Sequence, residues 1–216
     1  MRRLPQPLLI LVTDRSLARG RPLEDVVRAA VRGGVTAVQL REKTCPTREF
    51  LETGRKLIAV CRPLGVPLII NDRADVALAL GADGIHVGQD DLPPDEARRL
   101  MGPNAIVGLS VETAGQAADA EGQDVDYLGV SPVFATPTKP DTPNAWGPEG
   151  LRALRPRTRR VLVAIGGVNA ENAASVVAAG ANGLAVVSAI CSSADPERAA
   201  RAIRDAMDKA LEKRKA

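Results

Sequence analysis

Aromatic side chains are nearly missing from this 216-residue chain, at 2% with one Trp, one Tyr and two Phe. So few flat faces for bases to stack on disfavour a single-stranded RNA or DNA partner. Charge of one sign is lacking too. The net charge is only +3, and the basic residues lie along helices or beside strand ends rather than in one run. That balance favours a small anionic ligand and no nucleic acid. Cys45, Cys61 and Cys191 have no metal-ligand spacing, and their odd number gives no disulfide framework, so a reducing, cytoplasmic setting is expected. No apolar run approaches a membrane span, so no membrane partner is expected. The run from Leu8 to Val12 is too short for a signal-peptide core and ends in Thr13-Asp14-Arg15. Histidine occurs once, as His86 between Ile85 and Val87, and reads as a satisfied interior strand residue. Ser110 has no second His to activate it, which argues against a hydrolase triad.

What the chain does have is alternation. Residues are 45% hydrophobic and 25% charged, enough for one sizeable core, and residues 1–216 are expected to form a single domain. Strand-like and helix-like runs alternate from end to end, the pattern of an α/β protein. Leu23, Val26, Val27, Ala30 and Val31 share one helical face, and Gly33-Gly34 supplies a left-handed stop. The last helix has Asp195 as its expected N-cap and Pro196 in its first turn. Its apolar stripe runs through Ala199, Ala202, Ile203, Ala206, Met207, Ala210 and Leu211. A phrase repeats where helices give way to strands: Gly33-Gly34-Val35-Thr36, Gly81-Ala82-Asp83-Gly84 and Gly180-Ala181-Asn182-Gly183. With Leu8 to Val12 as the first strand, eight βα units follow, the number that closes a (β/α)8 TIM barrel with its active site at the C-terminal strand ends. An open doubly wound sheet is the rival. It is disfavoured because no Gly-rich dinucleotide fingerprint follows the first strand.

Residues suited to anions or metal ions stand just after the strands. Arg41 and Lys43 follow the second and Lys139 the sixth, and a closed barrel would bring them around one mouth to face a di- or triphosphate. Taken singly, each could be a solvated surface charge. Asp72 and Asp91 follow the third and fourth strands. Two carboxylates plus a phosphorylated substrate suit Mg2+, although each Asp could instead cap a helix. Gly166-Gly167 and Val187-Ser188 follow the last two strands, where such barrels bind phosphate through backbone N–H groups and a short helix N-terminus. The bland alternative for the Gly pair is a tight turn. The loop from Ser131 to Gly147, with Pro132, Pro137, Pro140 and Pro143, is the one long connection and is expected to be a lid or substrate loop.

Taken in order, these segments resemble the thiamine phosphate synthase family. The resemblance rests on Gln39-Leu40-Arg41-Glu42-Lys43, Asn71-Asp72, Gly84 to Asp91, Gly108-Leu109-Ser110, Thr136-Pro137-Thr138-Lys139, Ile165 to Val168 and Val186 to Ile190, nearly the whole chain. It implies a transferase of thiamine biosynthesis whose substrates are a pyrimidine diphosphate and a thiazole phosphate. The pyrimidine diphosphate would lie across Gln39 to Lys43, Asn71, Ser110 and Lys139. Asp72 and Asp91 would hold Mg2+, and Thr136, Pro137, Thr138, Gly167, Val187 and Ser188 would form the thiazole phosphate site. The family's thiazole nitrogen displaces diphosphate from the pyrimidine methylene through a dissociative, carbocation-like state. Arg41, Lys43, Ser110 and Lys139 would then be the catalytic groups. Relatives, including thiazole tautomerases, commonly carry His two positions beyond the Ser, where this chain has Glu112, and that weakens a tautomerase reading. A non-catalytic phosphate-binding barrel would keep Gly167 and Ser188 but has no use for the charged clusters. A homo-oligomer is compatible with all of these readings.

Overall fold

In a computed structural model, which describes residues 4–135 and 145–215, eight parallel strands close into a barrel in sequence order. The strands are β1 Leu8–Val12, β2 Ala37–Leu40, β3 Leu68–Asn71, β4 Gly84–Val87, β5 Ile106–Val111, β6 Tyr127–Val130, β7 Val161–Ile165 and β8 Gly183–Val186. The helices are α1 Leu23–Arg32, α2 Thr47–Cys61, α3 Ala74–Leu80, α4 Pro94–Met101, α5 Ala114–Asp119, α6 Gly147–Leu154, α7 Ala173–Ala178, a short α8 Ser188–Cys191 and α9 Pro196–Lys215. The expected (β/α)8 barrel is what forms. Both faces of each strand are covered, so the strands read as continuous apolar runs. Even so, the period of two persists inside. Leu8, Ile10 and Val12 pack in the barrel interior, while Leu9 and Leu11 belong to the larger core between sheet and helices.

One device recurs at the N-terminal end of the barrel. The residue just before each even-numbered strand makes a two-point clasp with the strand before it. Thr36 donates its backbone N–H to Leu9 O (2.9 Å) and accepts the Leu9 N–H on Oγ1 (2.9 Å). Asp83 does the same with Leu68 (2.9 and 2.9 Å), Asp126 with Val107 (2.7 and 2.8 Å) and Asn182 with Leu162 (2.8 and 3.0 Å). Each clasp gives an acceptor to a buried strand's N–H group, which is costly to leave unpaired.

The repeated phrase contains two different glycines. Gly81, at φ 59°, is the left-handed stop of α3. Gly84 and Gly183 instead open strands, where a Cβ would come 2.3 Å from Ile106 O and 2.7 Å from Leu8 O. After α1 the left-handed residue is Gly34 alone. Gly33 has φ −75°, and its missing Cβ admits Glu197 and Ala200 of α9. Asp195 caps α9 as expected, its Oδ1 accepting from Arg198 N–H at 3.0 Å. The buried face of α9 is turned from the expected stripe: Ala200, Ile203, Met207 and Ala210 are buried, whereas Ala202 is exposed. The close approach of Gly33 to Ala200 sets that phase.

Thr36→Val keeps the shape of a clasp residue and deletes its acceptor, so it should cost about 1–3 kcal/mol, the penalty of an orphaned buried N–H. Urea denaturation checks this, and Thr36→Ser should recover most of the loss.

Candidate active site

Inward-facing positions change character along the strands. Near the N-terminal end they hold Leu8, Ile10, Ile69 and Ile106; at the C-terminal end they hold Gln39, Asn71, His86 and Ser110. Register dictates this layer, because Gln39 pairs with Ile69, Asn71 with His86, His86 with Gly108 and Ser110 with Gly129. Above it opens a cavity of about 600 Å3, a size suited to a small ligand.

Charge gathers on one side of the mouth. Arg41 and Lys43 line it beyond β2, and the Arg41 backbone N–H donates to the buried Thr13 Oγ1 at 3.1 Å. Among the described residues, the Arg41 guanidinium makes no hydrogen bond or ion pair. Lys43 Nζ lies 2.5 Å from Asp72 Oδ2. Asp72 and Asp91 are not helix caps. The cap positions of α3 and α4 belong to Arg73 and Pro93, neither with a side-chain cap bond. Asp72 sits in the left-handed region at φ 62°, held by donating its N–H to His86 O at 2.8 Å. Asp91 Oδ2 accepts from Gly88 N–H at 2.7 Å. Asp91 is exposed at the rim, yet desolvation first and the neighbouring Asp72 second push its carboxyl above the usual carboxylate range, with Lys43 opposing.

Gly166, Gly167, Val187 and Ser188 line the same cavity, and Ser188 opens the short helix α8. Gly166 and Gly167 both have positive φ, at 98° and 66°, and a Cβ on Gly167 would meet Phe134 Cβ at 2.8 Å. The Gly pair is thus both a turn and the seat of the segment after β6, which runs along β7 through Val133 N–H to Ile165 O (2.9 Å) and Phe134 N–H to Gly166 O (3.0 Å).

The expected set therefore divides. Gln39, Arg41, Lys43, Asn71, Asp72, Asp91, Ser110, Gly167, Val187 and Ser188 converge on the cavity. Leu40 is fully buried in the sheet–helix core and can offer only backbone. The Glu42 carboxylate is taken by Arg15, at 3.0 Å from Nη2. Thr136, Pro137, Thr138 and Lys139 lie outside the described residues. Glu112 and Gln116 also line the mouth, and Tyr127 lines it from below. The strand period could have placed Tyr127 there, since it stands opposite Gly108 in the same inward-facing layer.

A (β/α)8 barrel with cations and paired carboxylates on one side of its C-terminal mouth, and a glycine turn and short helix on the other, defines a phosphate-handling class. The family model described as thiamine monophosphate synthase matches residues 9–190, and the chain belongs to that family. It is 55% identical to the thiamine-phosphate synthase of Albidiferax ferrireducens, covering 95% of this chain and 94% of that one. It is 54% identical to the thiamine-phosphate synthase of Syntrophomonas wolfei, over 91% and 94%. The structure of thiamine phosphate pyrophosphorylase from Pyrococcus furiosus superposes with a TM-score of 0.86 at 39% identity, covering 94% of this chain and 96% of that one. None of these relatives is named as a tautomerase.

The left-handed backbone at Asp72 generates a test. Asp72→Gly should be more stable than Asp72→Ala by about 1 kcal/mol, because only the Ala carries a Cβ penalty at positive φ. Equal urea midpoints would mean that the turn relaxes.

Proposed function

We infer that this chain is a transferase of thiamine biosynthesis, a thiamine-phosphate synthase that joins a pyrimidine diphosphate to a thiazole phosphate. What supports this reading is that Arg41 and Lys43, after β2, and Gly167 and Ser188, after β7 and β8, line one cavity, two sets of groups each suited to an anion.

The methylene C–O bond breaks ahead of bond formation, diphosphate leaving with the electron pair, and the lone pair of the thiazole nitrogen then forms the new bond to the carbocation-like methylene. The nitrogen carries no proton, so no general base is needed. Arg41 and Lys43, joined by Lys139 from the loop, stabilise negative charge as it grows on the leaving group. Gln39, Asn71 and Ser110 hold the pyrimidine end. Thr136, Pro137 and Thr138, together with Gly167, Val187 and Ser188, bind the thiazole phosphate.

Asp72 and Asp91 fit Mg2+. They are hard oxygen donors that follow the adjacent strands β3 and β4, and both line the cavity. Mg2+ keeps several waters and is commonly held by one or two carboxylates plus substrate phosphates. When bound, the ion supplies positive charge at the diphosphate. Cys45, Cys61 and Cys191 are free thiols, in keeping with a reducing cytoplasm, and no helix among the described residues is long and apolar enough to cross a membrane. A homo-oligomer is compatible with this site, which one chain supplies.

Mixing the protein with both phosphorylated halves and Mg2+ should yield thiamine phosphate and diphosphate in equal amounts; no product would sink the reading. Asp91→Asn should retain the fold and lose most turnover at limiting Mg2+, with partial recovery as Mg2+ is raised. Wild-type turnover there would remove Asp91 from the metal site. Lys139→Ala should slow single-turnover bond formation about 10²-fold with ground-state binding nearly unchanged, as expected when one preorganised donor to developing charge is removed.

A further inference from the structure

Beneath the cavity lies a buried polar chain that the charge argument does not use. His86 Nδ1 is 2.9 Å from Tyr127 Oη, and His86 Nε2 is 2.8 Å from Ser110 Oγ. The two rings stack with centroids 5.4 Å apart. Room for them is made by glycine: a Cβ on Gly108 would lie 2.2 Å from Tyr127 Cζ and 2.5 Å from His86 Nδ1, and one on Gly129 would lie 2.9 Å from His86 Cε1. The two ring nitrogens of His86 are both engaged, and the backbone of Gly108 and Gly129 lies close against the rings.

A chain of hydrogen bonds has a direction. Tyr127 is buried, and burial pushes its phenol well up, so the hydroxyl keeps its proton. The Tyr127 proton is then available for His86 Nδ1. An imidazole that accepts at Nδ1 carries its proton on Nε2, which faces Ser110 Oγ. Ser110, accepting that proton, has its own hydroxyl hydrogen left for the cavity.

We propose that Tyr127 and His86 are positioning residues: they form a one-way relay, Tyr127 to His86 to Ser110, that presents the Ser110 hydroxyl as a hydrogen-bond donor to an acceptor atom of the pyrimidine diphosphate. This rests on the synthase reading for the identity of the ligand, but not for the relay itself. The His86 ring moves no proton in the reaction. Its work is to fix which way Ser110 points, as outer partners orient the groups that touch a ligand.

His86 is the only histidine in the chain, so uniform 15N-histidine labelling yields the spectrum of one imidazole. The expected wild-type spectrum shows the proton on Nε2 alone, and Tyr127→Phe should give a mixture of tautomers. The same variant should lower kcat/KM for the pyrimidine diphosphate about 10-fold, the usual scale for an orienting partner, and leave the KM for thiazole phosphate unchanged. In a double-mutant cycle it should add nothing to Ser110→Ala, because it acts only through that hydroxyl. A proton on Nδ1, or on both nitrogens, overturns the relay, as do additive effects or a Tyr127→Phe rate within about twofold of wild type. Should Tyr127→Phe fail to fold, the wild-type spectrum still decides the tautomer. Absence of synthase activity in the wild type would instead fail the functional reading and leave the tautomer measurement standing.

Discussion

Register in this barrel depends on the clasps that join neighbouring strands at its N-terminal end. Thr36, Asp83, Asp126 and Asn182 each exchange two hydrogen bonds with a single residue of the preceding strand. A parallel ladder has evenly spaced bonds and nothing in its own pattern to forbid a slip. A slip of one residue would turn every inward side chain outward, exchanging Gln39 for Leu40 and Ser110 for Leu109 at the cavity. Four side-chain acceptors, none near the chemistry, therefore decide which groups face the ligand.

From that register follows the division of labour between the two ends of the barrel. The N-terminal half of the interior is apolar, and the polar residues are confined to the last inward layer and the loops above it. The site is built at a cost to stability. Asp72 holds a backbone conformation that disfavours a side chain, and Asp91 carries a carboxyl pushed up by desolvation and by Asp72. Lys43 offsets part of this through its contact with Asp72, but that pair is open to solvent and weakly bound, with Lys43 52% exposed.

The number of strands, their order and most of the residues at the mouth were legible in the chain, because strand ends in a closed barrel converge whatever the helices do. What escaped depends on contacts between segments distant in sequence. Gly84 and Gly183 look like turn residues beside their helix-ending partners, yet they serve the close approach of the neighbouring strand. The face of α9 was misjudged toward Ala202 because alanine carries little pattern of its own, and the packing of Gly33 on Ala200 decides the rotation. An Asp just after a strand suits either a helix cap or a metal, and the cap positions of α3 and α4, at Arg73 and Pro93, exclude the first role for Asp72 and Asp91. Glu42 stands within a run of cavity residues, but the charge of Arg15, from the loop after β1, draws it aside.

A bond-forming nitrogen that has no proton to lose asks for fixed charge rather than for groups that gain and lose protons. The composition of the site agrees. Its cations are arginine and lysine, and its one imidazole is buried in the barrel between two hydroxyls. An exposed histidine at the mouth would add a pH dependence that the chemistry does not need. Enclosed between Tyr127 and Ser110, the same ring is a rigid strut with a donor at one edge and an acceptor at the other. A single histidine can therefore be essential to a site without being its acid or its base.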